Sequence, residues 1–265
     1  MATKPGQTTP RQPRRIIELI LILACMTFPP AVSRGVAETD VTRLSSADFL
    51  NEVRRPFRQD AWGQFSGRIS HKGKAGRHKG SIDLAIRFAP ESTKAQLVSN
   101  GQNIYNLQEK HGVGTAPQVS LALPANEKKP GLFDMGIEAE DLTFAFIYWD
   151  LLRELPRDSV RGRKCRVMDL AHPADKGYVR VWFSEAHFFP LRVHWFHNEQ
   201  DKPWRTLNVK GVKKHDDNFW FLKTLELRGD GWKTQVRFDE AEMHASRDMP
   251  PPAGLFRENQ AKNAH

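Results

Sequence analysis

The ten histidines of this 265-residue chain are the side chains best suited to chemistry, as metal ligands or proton carriers. His187, His194 and His197 lie closest together in sequence. His194 and His197 are three apart in a stretch that alternates like a strand, so their side chains face opposite sides and cannot share one ion without a bulge. His71 and His78 flank a turn rich in glycine and charge, where solvation is the expected role. Glu138 with Glu140, and Glu240 with Glu242, are paired carboxylates with no nucleophile or oxyanion donor nearby in sequence. Gly112-Val113-Gly114 is too short to cradle a phosphate and opens no helix. No G-x-S-x-G, H-E-x-x-H or C-x-x-C run occurs. Cys165, alone beyond the N-terminal segment, reads as a small buried hydrophobe in an alternating strand. The residues therefore predict no catalytic group, no metal site and no cofactor.

What the chain does supply is aromatic surface. Seven Trp and sixteen Phe are concentrated after residue 130, more than one face of a sheet needs. Phe144, Phe146, Trp149, Val181, Phe183, Trp195, Phe219, Phe221, Trp232 and Phe238 are the candidates for the lining or lid of a hydrophobic cavity, although about half of such residues must be ordinary core.

The elements that would position them are mostly strands. Residues 162–239 hold six segments with a period of two, each closed by a turn. In one, Val179, Val181 and Phe183 share a face opposite Tyr178, Arg180 and Trp182. In the next, Leu191, Val193 and Trp195 oppose Arg192, His194 and Phe196. Bulky groups on both faces predict a second covering layer or a cavity inside a curled sheet. Earlier strands flank an exposed turn over residues 73–80 and an Asn100-Gly101 hairpin. Two helices are expected. Residues 40–58 carry Ser45 or Ser46 as a cap and end at Pro56. The second begins at Asp141 or Thr143, aligns Phe144, Ile147 and Leu151 with Trp149 nearby, and stops at Pro156.

Residues 1–37 have a basic start, an apolar run over 16–28 and small residues beyond, the layout of a cleaved secretory signal. A rival reading takes Ile22-Leu23-Ala24-Cys25 as a lipobox that would anchor the chain through an acylated Cys25. Residues 38–248 are expected to form a single domain and 249–265 a flexible tail. The net charge of +9 falls to +5 without residues 1–37, which hold five basic residues and one acidic. That excess is spread along the strands and suits a solvated surface that meets anionic membranes, not nucleic acid.

Taken together, the leader, the capping helix, the early hairpins, "EDLTF", "GRKCRVMDL", "YVRVWF", "FPLRVHWF" and "TLNVKGVKK" resemble the periplasmic lipoprotein carrier superfamily, in its outer membrane lipoprotein-sorting branch. The likeness covers residues 62–239, most specifically 141–214. Asp141-Leu142-Thr143 matches the start of the family's short helix, Gly162 and Cys165 the strand after it, and Pro190-Leu191-Arg192 a turn that opens a strand. Ala145 and Phe146 depart from the acidic residues common in that helix, and no residue matches the carrier's cavity arginine. The resemblance implies a half-open antiparallel β barrel, mainly β with a few helices, its curved sheet covered by a helical lid. It further implies a periplasmic, non-enzymatic carrier that shields lipoprotein acyl chains or lipids, acts as a monomer and touches membranes or membrane proteins transiently. A lipid-sensing envelope-stress regulator on the same scaffold is the alternative. An enzyme using the histidines would need bound metal.

Overall fold

The computed structural model describes residues 43–112, 115–124, 126–173, 176–197, 202–214 and 220–257. The expected signal segment, the lipobox with Cys25, and Phe219 lie outside the described residues.

Among the described residues, twelve strands form one antiparallel sheet. They are β1 (Ala61–Gly73), β2 (Gly76–Ala89), β3 (Ser92–Ser99), β4 (Asn103–Gly112), β5 (Thr115–Ala122), β6 (Asp150–Val160), β7 (Arg163–Ala171), β8 (Tyr178–Ser184), β9 (Pro190–Phe196), β10 (Arg205–Lys214), β11 (Trp220–Gly229) and β12 (Trp232–Ala245). Their order is β5-β4-β3-β2-β1-β12-β11-β10-β9-β8-β7-β6. Two meanders thus meet where β1 pairs with β12, and the sheet curls without closing into a barrel. Its free edges, β5 and β6, are neighbours in sequence, and residues 123–149 run between them.

Local chemistry explains the turns. Asn100 and Gly101 take φ of 54° and 68°, left-handed values that turn the chain tightly between Ser99 and its partner Asn103. At Gly67 the β1–β12 register shifts, and a Cβ there would strike the Arg237 carbonyl oxygen. The missing side chain lets the two meanders approach at a bulge.

Helix α1 is Ser46–Arg54, shorter than the 40–58 expected, with Ser45 as its cap: the Asp48 amide donates to Ser45 Oγ at 3.1 Å. Phe49, Leu50 and Val53 are its buried side, and Pro56 opens a 3₁₀ turn over Pro56–Arg58.

The second expected helix is corrected. Helix α2 spans only Ala139–Thr143, Phe144 takes a left-handed φ of 57°, and a 3₁₀ turn covers Ala145–Tyr148 before β6 begins. Phe144 and Ile147 are buried, but Leu151 is 37% exposed on β6. The expected stripe is therefore not one helix face. Pro156 does not stop a helix but sits inside β6, as edge strands allow, where the register slips between Leu155 and Asp158.

Both faces of β8 and β9 are covered. Inward, Val179, Val181, Phe183 and Val193 are fully buried. Outward, no second sheet is needed, because rings and cations cover one another: Tyr178 stacks on Phe196 at 4.8 Å, His194 lies 4.6 Å from Trp182, and Arg192 lies 5.2 Å over Trp182. Another correction concerns His71, expected in solvent, which is half-buried with Nδ1 2.8 Å from Thr234 Oγ1. Within the stretch expected as a tail, Leu255 is buried, and the Arg257 backbone exchanges hydrogen bonds with the Gln96 side chain on β3.

Candidate functional site

The concave face of β1, β2, β11 and β12 carries the side chains that alternation places inward. Ala61 and Phe65 come from β1, Ile82, Leu84, Ile86 and Phe88 from β2, Leu225 and Leu227 from β11, and Val236 and Phe238 from β12. These residues do not fill the concavity. A cavity of about 160 Å³ remains, roofed by Phe57, by Ile137, Leu142 and Phe144 of the crossing segment, and by Phe188 and Phe189 of the β8–β9 turn. Asp141 and Thr143 are its polar members. Thr143 is buried, and its Oγ1 has no hydrogen-bond partner among the described residues.

The crossing segment is pinned at several points. Arg205, 1% exposed on the inner face of β10, is ion-paired to Asp141 of α2, donates to the Gly136 carbonyl at 3.2 Å, and lies 4.4 Å over the Trp195 ring. The Thr234 hydroxyl donates to the Met135 carbonyl. Gly136, at φ 72°, has no room for a Cβ because the Trp232 ring lies against it. Arg54 of α1 donates to the Ile147 and Trp149 carbonyls at 2.9 and 3.2 Å. Helix α1 is seated in turn by Arg166, which binds Glu154 and the Leu44 carbonyl and covers Phe49 at 4.7 Å.

Between the free edges, Tyr148 of the crossing segment stacks on His111 of β4 at 4.4 Å, with Glu109 Oε1 3.1 Å from His111 Nδ1. The crossing segment is thereby tied to β4 by side chains, not by a strand ladder. Burial, with the nearby Glu109 charge, pushes the Tyr148 hydroxyl well above its usual pKa.

The predicted site residues separate into groups. Phe144 and Phe238 line the cavity. Phe146, Val181 and Phe183 are fully buried in packed core, with Phe49 of α1 edge-on to Phe183 at 6.2 Å. Trp149 and Trp195 line a different cleft at the strand ends, and Trp232 packs against Gly136 and Gly229. Phe221 lies in β11, opposite Lys213, and Phe219 is outside the described residues. Arg205 and the residues of β1 and β2 were not singled out from sequence. The signal for Arg205 is its phase, since it alternates with Leu207 and Val209 and so places a cation on an apolar face that must supply a partner.

Among the described residues no group of three His, Cys, Asp or Glu is placed to hold a metal ion, and no helix is long and apolar enough to cross a membrane. Cys165 is fully buried with its Sγ 3.3 Å from the Arg163 carbonyl, and burial lifts its thiol pKa to about 11.

An unclosed, curved antiparallel sheet around an apolar hollow defines the architecture of the lipoprotein carrier-like proteins. Solved structures share it: an outer membrane lipoprotein-sorting protein domain from Vibrio parahaemolyticus, 15% identical, superposes with a TM-score of 0.56 over 75% of this chain and 90% of that one. A DUF1329 family protein from Desulfovibrio piger, 13% identical, reaches a TM-score of 0.58 over 74% of this chain and 90% of that one. No protein-family model matches the chain, and no curated protein matches it in sequence.

Proposed function

We propose that this protein is a non-enzymatic carrier that shields acyl chains of lipids or lipoproteins in the bacterial envelope, between the two membranes. The observation that supports it is the apolar cavity between the curved sheet and the crossing segment. The volume sets how such a carrier would work. About 160 Å³ is close to the ~150 Å³ apolar cavity that takes up one benzene, so it admits about six carbons. At ~0.8 kcal/mol per CH₂ that is roughly 5 kcal/mol, an affinity near 0.1 to 1 mM. A full acyl chain requires α2 and Phe144 to swing away from the sheet, and the same motion permits release.

The test is lipid extraction and mass spectrometry of protein purified from its native compartment, with displacement of a fluorescent fatty-acyl probe. Co-purifying acyl lipid and saturable probe binding are expected. Absence of both would end the carrier reading. Probe binding with altered stress signalling, but unaltered lipid or lipoprotein distribution in a deletion strain, would replace it with a lipid-sensing regulator.

A further inference from the structure

The cavity lies on the concave side of β1, β2, β11 and β12, and the convex side of the same strands carries charge. Side chains alternate along a strand, so the buried inner residues Ile69, Ile82, Leu227 and Val236 leave Lys72, Arg77, Arg228 and Lys233 on the outer face. Register brings these four into one line. Arg77 stands opposite Lys72, Lys72 opposite Lys233, and Lys233 opposite Arg228. A row of cations thus crosses four neighbouring strands, a span of about 14 Å at ~4.8 Å per strand. Like charges directly opposite one another destabilise a sheet, so the row calls for anions.

The fold provides few of them. Glu226, buried on β11, is shared by Lys233 at 2.7 Å, Arg228 at 3.0 Å and Lys210 at 3.2 Å. Asp239 is shared by Arg68 and Arg237, a second like-charged pair in direct register. At the hairpin tips Lys74 and Asp230 cancel. Lys72, Arg77 and Lys79 are exposed and have no ion pair among the described residues. The next acids on this face, Asp83 and Glu240, both stand opposite Ser66, and Asp83 is engaged by Arg257 at 3.3 Å. Ser66 is six residues from Lys72, about 20 Å along the strand and beyond the Debye length of about 8–10 Å.

The row is flat and carries no apolar anchor. Among the described residues the exposed large apolar side chains, such as Phe133, Leu152 and Trp204, all lie on other elements. Protein interfaces are built around desolvated aromatic and apolar anchors. The headgroups of an anionic bilayer instead offer an extended plane of charge that rewards each nearby Lys or Arg separately.

We propose that the outer face at the ends of the β1–β2 and β11–β12 hairpins docks this protein on an anionic phospholipid bilayer, with the row from Arg77 to Arg228 as the contact. Docking there leaves the cavity side of the same strands uncovered, and the inference does not rest on the carrier reading.

The test is cosedimentation of protein purified from its native compartment with vesicles of mixed phosphatidylglycerol and phosphatidylcholine, and with phosphatidylcholine alone. Binding to the anionic vesicles is expected at about 0.05 M salt, at least about tenfold weaker near 0.5 M, with none to phosphatidylcholine. Lys72→Gln combined with Arg77→Gln should weaken binding about fivefold per residue, roughly thirtyfold together, with Tm unchanged or raised. Lys94→Gln combined with Lys110→Gln removes the same charge from exposed positions on β3 and β4 and should weaken binding less than about threefold. Equal weakening by the two double variants would reduce the effect to net charge and overturn the docking face. Undiminished binding of the row variant, or equal binding to phosphatidylcholine, would overturn it as well. Row-dependent binding of polyglutamate without vesicle binding would replace the membrane with an acidic protein.

Discussion

Filling the cavity is the most direct perturbation of the proposed carrier. Ala61, on the inner face of β1 opposite Phe88, lines the space, and Ala61→Phe would place a six-carbon ring where about one benzene fits. An acyl segment excluded from that space loses roughly 5 kcal/mol of transfer free energy, so probe affinity should fall by about a thousandfold or more. Stability separates this outcome from simple damage. A ring that enters a real void gains about 1.5–3 kcal/mol of burial, and Tm should hold or rise. A ring forced into packed core loses about 1–3 kcal/mol, a fall of several degrees in a domain this large, at about 2–4 °C per kcal/mol. Probe displacement and thermal melts on the same sample read both quantities. A folded variant with undiminished probe affinity would refute the placement of the ligand, and a markedly lowered Tm would refute the void.

Thr143→Val keeps the shape of a buried side chain and removes the hydroxyl that lacks a partner, so urea denaturation should show a gain of about 1–3 kcal/mol. Asp141→Asn strands the Arg205 guanidinium inside the protein and should cost about 3–5 kcal/mol, read as a lower urea midpoint at unchanged m-value. The Cys165 thiol should resist a disulfide reagent at pH 8 in the folded protein and react fully in guanidinium, because burial holds its pKa near 11. Burial, with Arg192 and Arg180 nearby, lowers the His194 pKa from 6.5 to about 4. The unfolded chain then takes up a proton that the folded chain refuses, so this contribution is complete above pH 6.5 and is lost as pH falls from 6.5 to 4. His194→Gln should flatten Tm against pH in that window.

Much of the sheet is legible in the sequence because its information is local. Val179, Val181 and Phe183 alternate at the strand period, and Asn100-Gly101 has the conformational freedom a tight hairpin demands. The pairing of β1 with β12 is not local. Ile69 meets Val236 through no pattern that either segment carries alone, so the wall that β1 and β2 add beside Phe238 of β12 is not legible in the sequence. The sequence from Asp141 to Pro156 misleads for a related reason. Phe144, Ile147 and Leu151 have helical spacing, but pairing with β7 and a left-handed Phe144 override a preference worth a few tenths of a kcal/mol per residue. Aromatic content pointed to a cavity, yet most of those rings satisfy core and rim, and aliphatic Ile82, Leu84 and Leu225 share its wall with Phe238.

The junction of the two meanders also dictates when the protein can finish folding. β1 pairs with β12 from Ala61 opposite Ala245 to Lys72 opposite Lys233, so the first strand made waits for the last. Joining them closes a loop of about 160 residues, roughly 4 kcal/mol less favourable than closing a two-residue hairpin. A growing chain can complete β2 to β5 early, but β1 keeps one bare edge until residue 245 is free. During that interval the nascent protein presents an unpaired strand that must be guarded against its neighbours.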